Sequence, residues 1–243
     1  MKELRALVAT EAKLLFRDPI TWLAAIALPS VVLLIFGSLF PPLPDPELGG
    51  QRWLDLFVPS LLVITLGTLG VQTLPIRLAT YREKGVLRRL STTPAHPARL
   101  LAAQLVVYSV TSVIAMVLLV VVGHLVYAIP LPGHPLGFLV AFLFGMTSLF
   151  AIGLIVAAVA PSNRAATAIA IPMFFAVMFL GGVYFPRVML PEILVRIGDY
   201  TPPGVQGLQD AWLGTVPQLA PLLGMAVVTV VLGAIAVRSF RWE

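Results

Sequence analysis

Six stretches of this sequence, roughly 20–40, 56–76, 100–129, 136–160, 165–185 and 218–237, are apolar and hold no Lys, Arg, Asp or Glu in their middle. A helix rises about 1.5 Å per residue, so about 20 apolar residues cross a hydrocarbon core of about 30 Å. Each stretch is about that long. The third is longer, which predicts tilt or extension past the bilayer. A β-barrel also satisfies backbone polar groups in lipid, but it needs alternating segments of about ten residues. The run Val117-Leu118-Leu119-Val120-Val121-Val122 does not alternate. The predicted fold is an all-α membrane protein with six transmembrane helices in a single membrane domain over 1–243.

Composition agrees. Hydrophobic residues make up 59% of the chain and charged residues 11%. Soluble domains hold about 45–50% and about 25%, so a water-soluble core of this length could not hide so much apolar side chain. The net charge of +5 comes from basic residues in the connections between apolar runs. That placement predicts contact with anionic lipid and no nucleic-acid partner. Thirteen Lys and Arg fall in the N-terminal segment, after spans two and four, and in the tail, while only Arg52, Arg187 and Arg196 fall opposite. By the positive-inside rule both ends are cytoplasmic. The first apolar run is too long for a cleaved signal and no small-residue cleavage site follows it. The Arg, Ala, Leu, Val and Pro bias matches a GC-rich bacterial genome, so the expected location is a bacterial inner membrane. The absence of Cys excludes disulfides, thiolate metal sites and Cys nucleophiles.

Three segments outside the spans have a pattern of their own. Over 1–19, Leu4, Leu7, Val8, Leu14 and Leu15 recur at helical spacing among Lys2, Arg5, Lys13 and Arg17, ahead of the break at Asp18-Pro19. This predicts an amphipathic helix, and the pattern favours the head-group layer over free exposure in the cytoplasm. In the Pro-punctuated segment 186–217, Leu190, Ile193, Leu194 and Ile197 mark one short amphipathic helix, and 204–213 could hold a second. These extracellular helices either lie on the interface or re-enter the membrane. Over 80–94, a single short helix would place Glu83, Leu87 and Leu90 on one face with Lys84 and Arg88 beside them, stopped by Pro94. Such a helix suits a groove on a soluble partner. It equally suits plain positive-inside topology with lipid contact, and spacing alone leaves both open.

Signals for chemistry are missing. There is no G-x-x-x-x-G-K-[ST] phosphate loop, no H-E-x-x-H and no G-x-S-x-G. His96, His124 and His134 are scattered singly, which predicts no catalytic residue, no metal site and no cofactor on this chain. Charge-free spans argue against an ion-coupled pump, because such pumps keep costly ionisable groups in the membrane. Gly67, Gly70, Gly145, Gly153, Gly181 and Gly182 would instead let helices approach closely.

Three features carry a family resemblance. Phe16-Arg17-Asp18-Pro19 follows an amphipathic start. Arg82-Glu83-Lys84-Gly85, then Leu90 and Thr93-Pro94, is similar to an R-E-x-G-T-L-E-x-L-x-x-T-P stretch. Gly181-Gly182 is followed by Phe185-Pro186, Leu190-Pro191 and Pro202-Pro203. In this order, with six spans, the chain resembles the membrane subunit of bacterial ABC transporters of the ABC-2 type, the drug and polyketide exporters among them.

The resemblance implies a permease subunit of an ATP-driven exporter for a hydrophobic or amphiphilic substrate, drug-like or lipid. Polysaccharide or lipid-linked glycan export is the alternative, and a non-transporting membrane scaffold is a further one. Two permeases, identical or related, would pair with two copies of a separate ABC ATPase that holds ATP and Mg. The resemblance makes 81–93 a cytoplasmic coupling helix, with Arg82, Glu83, Leu87, Arg88 and Leu90 meeting the ATPase. Asn163 and Arg164 would form a second contact. It lines the pathway with spans one, two and five, which here offer Phe36, Phe40, Phe57, Phe174, Phe175, Phe179 and Tyr184. Two departures stand out: Arg88 and Arg89 lie where the family often has a second Glu, and 41–55 is too short for a large external domain.

Overall fold

The second span is the helix around which the others gather. The computed structural model describes residues 2–40, 43–46, 50–91, 97–184, 190–202 and 204–239. Among them the chain is helical, apart from turns and one isolated bridge between Asp45 and Gln51. After α1 (Lys2–Phe16) come six helices long and apolar enough to cross a membrane. They are α2 (Pro19–Leu39), α3 (Trp53–Glu83), α5 (Pro97–Tyr127), α6 (Pro135–Val159), α7 (Asn163–Leu180) and α10 (Leu219–Ser239). The short helices are α4 (Val86–Ser91), α8 (Glu192–Tyr200) and α9 (Val205–Trp212). This is the all-α membrane protein that the apolar runs predict. The largest departure is at the end of α3, which continues seven residues past the apolar run.

Helices α3 and α6 are mostly buried, whereas α2, α5, α7 and α10 turn rows of large apolar side chains outward. Glycine makes this possible. A Cβ on Gly153 of α6 would collide with the Gly70 carbonyl of α3, and one on Gly67 would strike Met178 and Phe174 of α7. The small side chains let backbones touch where lipid gives no hydrophobic drive to association.

Two turns are widened. α2 is π-helical over Leu23–Ala27 and α3 over Thr68–Thr73, and in each case a proline, Pro29 or Pro75, follows two residues later. Proline has no N–H and its ring clashes with the carbonyl four residues back, so a looser turn ahead of it relieves the conflict. The Thr73 hydroxyl donates to the Thr68 carbonyl at 2.9 Å across the widened turn.

On one side of the bundle, called here the basic side, α1 packs along α5. Leu7, Val8, Ala12 and the buried Leu15 face the core, while Leu14 is exposed. Protein covers the inner face of α1. On the opposite side α9 packs into the bundle through Val205, Leu208 and Trp212, and Trp212 meets the Phe138 ring edge-on at 5.5 Å. The Gly133 and His134 N–H groups donate to the Trp212 and Ala211 carbonyls at 3.1 and 2.9 Å. α8 keeps Ile193, Arg196 and Ile197 exposed.

Candidate functional site

The last two turns of α3 join four other parts of the chain. Arg77 Nη1 lies 3.4 Å from Asp18 Oδ2, and Asp18 caps α2 by accepting from the Thr21 N–H at 3.3 Å and its hydroxyl at 2.8 Å. The Tyr81 hydroxyl donates to Glu11 of α1, 2.9 and 3.1 Å from its two oxygens, and the Arg77 guanidinium lies 5.9 Å from the Tyr81 ring centre. Arg82 donates to the carbonyls of Ala157, at 3.0 Å, and Ala160, at 2.6 Å, where α6 ends. The Glu83 carboxylate accepts the backbone N–H of Asn163, the first residue of α7, at 3.0 Å, and the Asn163 amide donates to the Thr80 hydroxyl at 2.6 Å.

A cation thus sits at the C-terminus of α6 and an anion at the N-terminus of α7, each meeting backbone groups that helix ends leave unpaired. Arg82, Glu83 and Asn163, three predicted contact residues, come together as a brace between α3 and the α6–α7 turn. They reach it only because α3 continues through residue 83.

The single helix over 80–94 needs correction. α3 stops at Glu83, Lys84 and Gly85 form a turn with Gly85 at φ +66°, and α4 starts at Val86. Glu83 and Leu87 share no face. Leu87 is 1% exposed and packs inward, while Arg88 of α4 and Arg164 of α7 are exposed. The missed signal is Lys-Gly at a helix end, where glycine takes the left-handed position that stops the helix. Leu90 lies in α4, and its side chain and residues 92–96, Thr93 and Pro94 included, lie outside the described residues. Clefts of ≈ 690 and ≈ 660 Å³ flank Glu83; Arg82, Pro161 and Ser239 line one, and Thr80, Lys84 and Arg164 the other.

Between α2 and α3 lies a groove of ≈ 580 Å³, lined by Leu14, Asp18, Thr21, Ala24, Thr68, Gln72, Thr73, Arg77 and Tyr81. It runs past both widened turns, and the π form is frequent where helices do functional work. No residue of this groove figures among the predicted site residues. The prolines at 29 and 75 were the available signal.

The predicted aromatic residues fall into separate groups. Phe36, Phe40 and Phe57 gather at the opposite side around Trp53, with ring centres 4.3 Å apart for Phe40–Trp53 and Trp53–Phe57 and 5.2 Å for Phe36–Phe57. Trp53 escaped the sequence reading because it precedes the apolar run. Phe174 is buried beside Gly67; Phe175 meets it edge-on and stacks on Tyr184 at 6.5 Å. Phe179 is exposed on α7, and residue 185 lies outside the described residues. Tyr184, Trp53 and Phe57 line one gap of ≈ 20 Å³.

A second arginine secures the far end of α3. Arg52 pairs with Asp55 through two hydrogen bonds, at 2.8 and 3.0 Å, and donates to the carbonyls of Tyr127 and Ala128 at the end of α5, at 3.3 and 3.2 Å. The nearby histidines serve local structure. His124 Nδ1 lies 2.9 Å from the Ile129 carbonyl, and His134 accepts the Gly137 N–H at the start of α6.

Among families of known proteins, the model described as ABC-2 type transporter matches residues 2–203. The match takes in α1, five of the six spans, the brace, the groove and the aromatic groups. No curated protein matches the chain. With the match covering most of the sequence, the chain belongs to the ABC-2 type transporter family and is a multi-pass permease component of an ABC transporter.

Proposed function

We propose that this chain is the permease subunit of an exporter that moves a hydrophobic or amphiphilic molecule, drug-like or lipid, out of a bacterial cell. Two permeases, identical or related, work in the inner membrane with two copies of a separate ABC ATPase, which binds ATP and Mg. The basic side, with both ends of the chain, faces the cytoplasm. The observation that carries this reading is the brace at Arg82 and Glu83 beside α4. Leu87 anchors α4 in the bundle while Arg88 and Arg89 point out. A push on α4 reaches α3 through one short turn. From there the brace passes it to α6 and α7 and the Tyr81 contact passes it to α1. The groove between α2 and α3 borders the parts that would move, and its hydroxyl and amide groups beside apolar walls suit an amphiphile.

A second reading, export of a polysaccharide or lipid-linked glycan, draws on the stacked rings of Phe40, Trp53 and Phe57, which offer flat apolar faces to sugar. Co-purification tests the main proposal. An ABC ATPase should come with the tagged chain, and Arg88→Glu with Arg89→Glu should lower its recovery. Cells with the intact pair should accumulate less of an amphiphilic dye than cells without it. No associated ATPase, together with equal dye accumulation across a broad panel, overturns the proposal.

A further inference from the structure

Glu11 lies on the packed face of α1 and is 6% exposed. Among the described residues no Lys or Arg nitrogen is within ion-pair distance of it. The groups that face it are Arg77 and Tyr81 of α3 and Gln104 and Tyr108 of α5, and Asp18 at the start of α2 acts on Arg77 and Tyr108 behind them. Arg77, the nearest cation, is engaged with Asp18 and the Tyr81 ring. The Tyr81 hydroxyl makes one good hydrogen bond to the carboxyl group, and Gln104 Nε2 reaches it at only 3.5 Å. Gln104 is itself 1% exposed, and its Oε1 is a buried acceptor without a donor. A buried carboxylate anion requires more than this.

The neutral acid requires less. Turned half a revolution about its terminal bond, the Gln104 amide presents Oε1 to Glu11. A proton on the carboxyl group then donates to that oxygen while Tyr81 donates to the other. We propose that Glu11 is a proton-binding site that seats α1: the neutral acid latches α1 onto α3 and α5, and release of the proton to solvent, leaving the electron pair on the carboxylate, loosens it. Desolvation pushes the Glu11 carboxyl group up from its ordinary value, against the lowering effects of the Tyr81 hydrogen bond, the Arg77 charge and Gln104.

The latch has an evident place to act. Tyr81 holds Glu11 and also lines the groove between α2 and α3, as do Leu14 and Asp18 on either side of the break after α1. Seating α1 therefore sets one wall of that groove. The inference holds whatever the groove carries.

The chain has no cysteine, so spin labels can be placed cleanly at the exposed positions Ala9 of α1 and Val106 of α5. Pulsed-dipolar distances are read in the full chain in lipid nanodiscs. Between a pH below 4.5, where the carboxyl group is neutral, and an alkaline pH, the long-distance population should rise about tenfold in the wild type and stay unchanged and low in Glu11→Gln. A pH-independent wild type overturns the proposal. So does a Glu11→Gln chain released at both pH values, because the anion would then be the form that holds α1. Infrared difference spectra of the wild type minus Glu11→Gln supply a second readout. A protonated-carboxyl C=O band that only the wild type shows, and that fades at a higher pH than the bands of exposed carboxyls, supports the site, and absence of a difference band at acid pH overturns it.

Discussion

Arg82 Nη1 lies 2.6 Å from the carbonyl oxygen of Ala160, the residue that closes α6. At the other end of α3, Arg52 does the same for α5 through Tyr127 and Ala128. Each end of the central helix thus carries a guanidinium that satisfies the unpaired carbonyls of a neighbouring span. Planar, permanently charged Arg suits that task better than Lys, because one side chain serves two acceptors.

Arg82→Ala leaves the carbonyls of Ala157 and Ala160 without this donor. Hydrogen bonds to charged groups are worth about 1.5–3 kcal/mol, so a loss near the lower end is expected at this half-buried site. Thermal unfolding in detergent should show it, with Arg82→Lys intermediate. An unchanged midpoint would mean that the brace contributes nothing to the fold.

Removing Arg52 strands Asp55, which is 7% exposed. Breaking a buried pair from one side costs about 3–5 kcal/mol, and partial exposure of Arg52 reduces that. Arg52→Met with Asp55→Asn should therefore be more stable than Arg52→Met alone. A double-mutant cycle measures the coupling, and strict additivity would argue against the pair.

Gly153→Ala should be worse than its single added methyl suggests. The new Cβ meets backbone, the Gly70 carbonyl, which cannot swing aside. Overpacking of this kind costs about 1–3 kcal/mol. The chain should give less monodisperse protein in size exclusion, whereas Gly233→Ala in α10, where a Cβ meets nothing, should behave as wild type.

Glu11 gives stability a pH dependence of definite sign. Its carboxyl group titrates above 4.5 in the folded chain, so its contribution is fully present below 4.5. That contribution falls as pH rises through the folded value and is level above it. The difference in unfolding midpoint between wild type and Glu11→Gln should widen over that window. A gap that narrows with rising pH would reverse the assignment.

The spans were legible because apolar length is a strong signal: 136–160 became Pro135–Val159 and 20–40 became Pro19–Leu39. The end of α3 was not. By hydropathy the span ends before Arg77, and Tyr81 and Arg82 read as part of a separate short helix; they continue α3 instead, where Asp18, Glu11 and Ala160 receive Arg77, Tyr81 and Arg82 from far along the chain. Glu11 was hidden for the same reason. In α1 it reads as one charge among several, and only its partners Tyr81 and Gln104 distinguish it. Arg82, Glu83 and Asn163 were singled out, but as outward contacts; that they bind one another depends on where α3 stops.

Each widened turn holds one residue more than an α-helical turn does. At 3.6 residues per turn, one residue corresponds to about 100° of rotation about the axis. The turn at Thr68–Thr73 therefore works as a phase shifter in α3: it decides toward which neighbour everything from Arg77 to Glu83 points. Deleting a single residue there would leave the apolar length ample to span a bilayer. It would also swing Arg82 off the end of α6 and Tyr81 away from α1, leaving a helix of the right length facing the wrong way.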